Sequence, residues 1–109
     1  MSDDSPEARI LAQVRALLPG SVSSYGEIAR RAGLPRRARL VAKVLASNDD
    51  AELPWHRVLR SDGRIAFPAG SRGYREQCVR LGREGVKVEN GRVRFARDAN
   101  SLDALIWGE

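Results

Sequence analysis

Apolar residues at Ile10, Leu11, Val14, Leu17 and Leu18 share one helical face. Ser5-Pro6 reads as an N-cap followed by proline at the first helical position, and Pro19-Gly20 stops the run. Ser24 and Glu27 have the spacing of a capping box, which predicts a short helix from Ser24 with Ile28, Ala29 and Ala32 inward and Gly33 just past its end. Pro35 opens a second helix over 35–47, whose apolar arc is Val41, Ala42, Val44 and Leu45. Two short helices joined by a glycine-containing turn form the helix-turn-helix pattern. Further on, Asp62-Gly63 and Asn90-Gly91 are turn signals for two small hairpins, over 57–67 and 86–95, the second alternating Val86, Val88, Val93 and Phe95. Between them, Ser71 caps a helix running to about residue 85 with Tyr74, Cys78 and Leu81 inward. The predicted class is mainly α with small β-hairpins: a single winged helix-turn-helix-like domain, with a core over residues 6–95 and a tail over 96–109. Leu102, Leu105, Ile106 and Trp107 are expected to dock that tail on the body.

A length of 109 residues suits one domain with one core, and 42% hydrophobic with 30% charged residues argues against wholesale disorder. The Met-Ser-Asp-Asp start has no signal-peptide character and no apolar run is long enough to span a bilayer, so a cytoplasmic protein is expected, nucleoid-associated in a bacterium, without a membrane partner. One cysteine, Cys78, excludes an internal disulfide and a cysteine-rich metal site. A formal net charge of +5 and a pI near 10.3 make nucleic acid the leading candidate partner, an anionic membrane surface or a plain solvated face being the alternatives. Charge and pattern meet at Arg36, Arg39 and Lys43, spaced i, i+3, i+7 opposite the apolar arc of the second helix. A basic stripe there is what a DNA-contacting helix requires; an ordinary helical hairpin with a solvated basic face is the bland reading.

Leu53-Pro54-Trp55-His56-Arg57-Val58-Leu59 holds the one histidine and one of the two tryptophans. Pro54 fixes its own φ and pushes Leu53 toward an extended conformation, so Trp55 and His56 are expected at a rigid bend entering a strand. Such a bend can aim side chains into a pocket, or it can hold a core tryptophan beside a satisfied histidine.

Pro54-Trp55-His56-Arg57 resembles the Pro-Cys-His-Arg motif of the O6-alkylguanine-DNA alkyltransferases, with tryptophan at the position of the reactive cysteine. That substitution marks the alkyltransferase-like proteins. The resemblance covers residues 7 to 95. Ser24-Tyr25-Gly26-Glu27-Ile28-Ala29 is similar to the start of the family's helix-turn-helix. Ala32-Gly33 and then Arg36-Arg37-Ala38-Arg39-Leu40-Val41 resemble the stretch carrying its arginine finger. Asn48 resembles the asparagine ahead of the active-site loop, here about a residue shorter. Gly63 to Ser71 falls where the family builds the wall of its base pocket, and Glu84-Gly85 resembles the pair closing its last helix.

The resemblance implies roles. Tyr25 would press on the DNA backbone and help rotate the damaged nucleotide out, and Arg39 would enter the stack through the minor groove and face the orphaned cytosine. The helix 35–47 would then lie in the minor groove, unlike the usual helix-turn-helix. The damaged-base pocket would be formed by Tyr25, Pro54, Trp55, His56, Arg57, Val58, Phe67, Pro68 and Ala69. DNA contacts would come from Ser24, Tyr25, Arg36, Arg37, Arg39, Lys43 and Asn48. Tryptophan carries no nucleophile, so His56 has nothing to activate and keeps a structural hydrogen bond; Cys78, on the apolar side of its helix, is expected to be a buried, inert thiol. Pro68-Ala69 replaces the tyrosine and serine usual in the repair enzymes, removing hydrogen-bonding groups and leaving room for larger alkyl groups. The implied function is a non-enzymatic one: binding duplex DNA with O6-alkylguanine, flipping the base without repairing it, and signalling to nucleotide excision repair proteins, as a monomer with no cofactor and no metal. Two other classes stay open, a winged-helix transcription regulator and an active alkyltransferase using Cys78.

Overall fold

A computed structural model describes residues 5–94, and among these residues the chain forms four α-helices and one two-stranded parallel sheet. Helix α1 (Pro6–Arg15) starts where expected, with the Ser5 hydroxyl accepting from the Ala8 N–H at 3.1 Å. It ends sooner than the apolar spacing implies. Leu17 packs half-buried on the core, but Leu18 is 70% exposed. Ser21 accounts for this: its Oγ accepts from the Leu18 N–H and donates to the Leu18 carbonyl, closing a tight turn that faces Leu18 outward.

Strand β1 (Ser23–Ser24) leads directly into α2 (Tyr25–Arg31), whose first turn is capped by the Ser24 hydroxyl accepting from the Glu27 N–H at 3.0 Å. Only half of the expected capping box forms. The Glu27 carboxylate is engaged by Arg30 and Arg31 on its own helix instead of reaching back to Ser24. Gly33 follows with φ +80, the left-handed residue that ends such a helix.

The second helix of the pair is shorter than the predicted 35–47. The Arg37 N–H donates to the Leu34 carbonyl at 3.1 Å across a turn with Pro35 and Arg36 at its centre, and Arg36 has φ +69. Helix α3 (Ala38–Ser47) begins after that turn, so Arg36 does not belong to the helical stripe with Arg39 and Lys43. Val41 and Val44 are buried and Leu40 and Leu45 half-buried, whereas Ala42 lies exposed beside Arg39 rather than in the apolar arc.

Trp55–Arg57 forms a single 3-10 turn and β2 (Val58–Leu59) pairs in parallel with β1, in the register Ser23 with Val58 and Ser24 with Leu59. This parallel pair was not legible as such. It divides the interior. Successive side chains of a strand point to opposite faces, so Val58 enters a cluster with Ile10, Val14, Ile28 and Val41, and Leu59 a second one with Ile65, Leu81 and Val93. Both residues are fully enclosed, as two-sided burial requires.

The hairpins are reduced to their turns. Asp62-Gly63 turns as expected, with the Gly63 N–H donating to the Arg60 carbonyl, and Asn90-Gly91 turns with φ +53 and +73, the pair of positive φ values of a type I′ turn. Among the described residues neither extends into a pair of strands, the second closing through a single antiparallel bridge between Glu89 and Arg92. The two turns also pair with each other: Ile65 N–H donates to Gly91 O and Val93 N–H to Gly63 O, both at 2.9 Å. Gly63 (φ +88) has the Val93 carbonyl directly against the position a Cβ would take. Helix α4 (Arg72–Arg83), capped by Ser71, packs Leu81 fully inward with Tyr74 and Cys78 half-buried beside it. Phe95 and the tail expectation for 96–109 lie outside the described residues. Among the described residues, no helix is long and apolar enough to cross a membrane.

Candidate nucleic-acid interface

Local backbone chemistry aims Trp55. Pro54 has φ −80 and ψ 58, and the Trp55 N–H donates to the Leu53 carbonyl at 2.8 Å, an inverse γ-turn. Leu53, 2% exposed, anchors that turn in the core. The 3-10 turn follows immediately, and the next two residues are locked in the sheet. The half-buried Trp55 ring stands edge-on to Phe67 at 5.8 Å between centroids and to His56 at 6.2 Å, with the Arg80 guanidinium carbon 5.3 Å from its centroid. Arg80 is held in turn by Glu76 at 2.7 Å. The Phe67 ring lies against Gly73 so closely that a Cβ there would sit 2.6 Å from it.

Behind Trp55 is a buried polar knot. The Glu84 carboxylate accepts from Arg57 (Nη2 at 2.6 Å, Nε at 3.0 Å), from His56 Nε2 at 2.8 Å and from the Gly20 N–H at 3.1 Å. Arg57 also donates to the Leu17 carbonyl at 2.8 Å. These bonds, Arg57's foremost, hold the Glu84 carboxyl down at about 2. A carboxylate accepts only, so His56 Nε2 carries the hydrogen, and His56 Nδ1 is buried without a partner. Gln77, 1% exposed, donates through Nε2 to the His56 and Val58 carbonyls at 2.9 and 3.1 Å. His56 therefore has the structural hydrogen bond anticipated for it. Gln77 was missed, because a lone glutamine on a helix carries no sequence signal of burial.

Across the sheet, Tyr25 and Arg39 face one cleft of about 520 Å³, with Gly26, Ala38 and Ala42 on one side and Arg60, Ser61 and Ala66 on the other. Burial pushes the Tyr25 phenol pKa up, so it stays a neutral hydroxyl. Beside the cleft α3 presents small and cationic residues, Ala38 half-buried and Arg39, Ala42 and Lys43 exposed, which lets another backbone approach closely. Arg36, Arg37, Arg39 and Lys43 are all exposed, and among the described residues none forms an ion pair. Arg36, although off the helix, is presented by a turn that forces it into a left-handed conformation.

The remaining site candidates fall in different places. Ser24 is committed through Oγ to capping α2. Asn48 ends α3, and its Oδ1 accepts the Asp50 N–H at 2.8 Å, ordering the loop that leads to Leu53. Pro54, His56 and Arg57 border a small hollow with Arg15 and Asp50, and Val58 is wholly enclosed. Pro68 and Ala69 are exposed beyond Phe67 along a larger groove. Arg60, Ser61 and Ala66 were not singled out from the sequence, because the hairpin expected there would have hidden how the turn folds back on the cleft. Cys78 is half-buried rather than fully so, and burial pushes its thiol pKa up.

Fold and site define a helix-turn-helix domain whose second helix presents free cations beside a tyrosine-lined cleft. Residues 5–86 match the family model for the DNA-binding domain of 6-O-methylguanine DNA methyltransferase. The chain belongs to that family, and within it to the alkyltransferase-like proteins. It is 43% identical over 70 residues to alkyltransferase-like protein 1 of Schizosaccharomyces pombe, an alignment covering 63% of this chain and 65% of that one. It is 39% identical over 87 residues to the DNA base-flipping protein of Vibrio parahaemolyticus, covering 78% and 85%. The crystal structure of S. pombe Atl1 in complex with damaged DNA containing O6-carboxymethylguanine superposes with a TM-score of 0.76 at 33% identity, covering 91% of this chain and 95% of that one.

Proposed function

We propose that this protein binds duplex DNA containing O6-alkylguanine, turns the damaged base out of the stack toward Trp55, and holds it without chemistry. The observation that carries this reading is Trp55 itself. Where a methyltransferase needs a thiolate, this chain has an indole braced by Phe67 and Arg80, over a histidine already committed to Glu84. His56 Nδ1 is buried without a partner, so the ring has no hydroxyl or thiol to activate. The chain's one cysteine is packed into the second apolar cluster with its thiol pKa raised, which disfavours the thiolate.

Tyr25 and Arg39 are suited to the two halves of extrusion. A neutral phenol at the mouth of the cleft can press on a phosphate and donate a hydrogen bond. An unpaired arginine flanked on its helix face by Ala38 and Ala42 can enter the duplex and fill the void, its planar guanidinium stacking and hydrogen-bonding together. Extruding a base costs a few kcal/mol, less when it is damaged and weakly paired, and stacking on aromatic side chains offsets it. Ser24, Arg36, Arg37, Lys43 and Asn48 would contact the flanking backbone. Pro54, Phe67, Pro68 and Ala69 would edge the space around the extruded base, while His56, Arg57 and Val58, buried behind Trp55, would support it. A protein that holds a lesion without repairing it acts by marking it, and nucleotide excision repair is the pathway we assign to the mark, with the protein acting as a monomer.

The test is a titration of one duplex carrying a single O6-methylguanine and its undamaged twin with wild type and Arg39→Ala. Tighter binding of the damaged duplex, with that preference lost in the variant, is expected. Equal affinity of wild type for both duplexes would sink the reading and leave a sequence-reading regulator as the better account.

A further inference from the structure

The two turns that replace the expected wing leave a groove of about 1000 Å³ between them. Four exposed arginines line it, Arg60, Arg64, Arg92 and Arg94. Two carboxylates stand among them. Asp62 accepts the Arg64 backbone N–H at 3.0 Å and lies 3.6 Å from the Arg64 guanidinium; Glu89 is met by Lys87 at 3.4 Å. The groove is therefore cationic after its own acids are counted. Arg92 donates through Nε to the Asp62 carbonyl at 2.9 Å, clipping one turn to the other and fixing the groove's width. Its course matters as much as its charge. Arg60, Ser61 and Ala66 border both this groove and the cleft that holds Tyr25 and Arg39, so the two form one continuous surface.

We propose that this arginine groove binds the sugar–phosphate backbone of DNA as it leaves the Tyr25–Arg39 cleft, extending the footprint beyond the helix-turn-helix. Guanidinium groups offer planar, paired donors that match phosphate oxygens. Phosphate contacts carry no base information, so the contribution of these arginines is to affinity and register, independent of the lesion. The inference rests on the reading that the cleft takes DNA.

The experiment compares wild type, R64A/R94A and R72A/R83A, the last removing equal charge from the outward face of α4 and leaving the groove alone. Arg92 is untouched, so the clip between the turns stays. Affinity for damaged and undamaged duplex is measured across a salt series, with thermal unfolding to check folding. For R64A/R94A the slope of log K against log salt should flatten by about 1.8, close to 0.9 for each lost phosphate contact, with affinity down on the order of 10-fold for both duplexes and their ratio unchanged. R72A/R83A should leave the slope as in wild type. A folded R64A/R94A with an unaltered slope, or equal flattening in the control, overturns the groove. A flattened slope in a protein lacking lesion preference would keep the groove and reject the lesion reading.

Discussion

Replacing Glu84 with glutamine tests the polar knot behind Trp55. The carboxylate accepts from Arg57, His56 and the Gly20 N–H at 2.6–3.1 Å, and its side chain is only 15% exposed. An amide keeps the shape but turns an NH₂ toward the Arg57 guanidinium and has no charge to offer it. In the folded chain the carboxyl is held at about 2 against an ordinary 4.5, which corresponds to about 3 kcal/mol of stability. A depressed folded pKa means that this stability is fully present above pH 4.5 and is lost as pH falls through 2. Glu84→Gln should therefore cost about 3 kcal/mol at pH 7, a drop in Tm of roughly 10–20 °C for a domain of this size. The gap between wild type and variant should close to under ~1 kcal/mol by pH 2. Urea unfolding followed by far-ultraviolet circular dichroism at pH 7, 5, 4, 3 and 2 measures this. A gap that stays constant across the series, or one below 1 kcal/mol at pH 7, would refute the assignment of the knot as an ion-pair anchor.

Three further outcomes are expected. Gln77→Leu keeps the volume but removes both donors to the buried His56 and Val58 carbonyls, and should destabilise by about 2 kcal/mol in chemical denaturation. Gly63→Ala sets a Cβ against the Val93 carbonyl at a positive φ; it should cost about 3 kcal/mol or more and loosen the pairing of the two turns, read as faster amide exchange at Ile65 and Val93. Gly73→Ala pushes the Phe67 ring off α4, so the emission of Trp55, measured in a Trp107→Phe background, should shift to the red, while the melting temperature falls by only a few degrees.

Local signals told most where the deciding interaction is local. Ser5-Pro6, Ser24 with Glu27, Ser71, Gly33 and Asn90-Gly91 each govern a cap or turn within four residues of themselves, and those caps and turns are where they were expected. What could not be read depends on partners distant in sequence. The two-residue parallel pairing of Ser23-Ser24 with Val58-Leu59 is too short to leave a periodic pattern. The mutual pairing of the 62–63 and 90–91 turns looks, in one dimension, like two independent hairpins. Proline often opens a helix, which puts Arg36 on one by pattern alone, yet the turn at Leu34–Arg37 takes Pro35 for its own second position. At the site, Trp55 and Arg39 stood out by residue type and neighbourhood, whereas Arg80, Gln77 and Arg60 gain their meaning only from what the fold lays beside them.

The central claim is selective binding of a damaged base with no chemistry, and one mixing experiment reaches it most directly. A short duplex with a single O6-methylguanine competes with its undamaged twin for the protein, and the bound DNA and the protein are then recovered for intact-mass analysis. The account predicts that the damaged duplex is captured preferentially and that both masses are unchanged. A protein heavier by one methyl group, with the guanine restored, would contradict it and make Cys78 the group to examine.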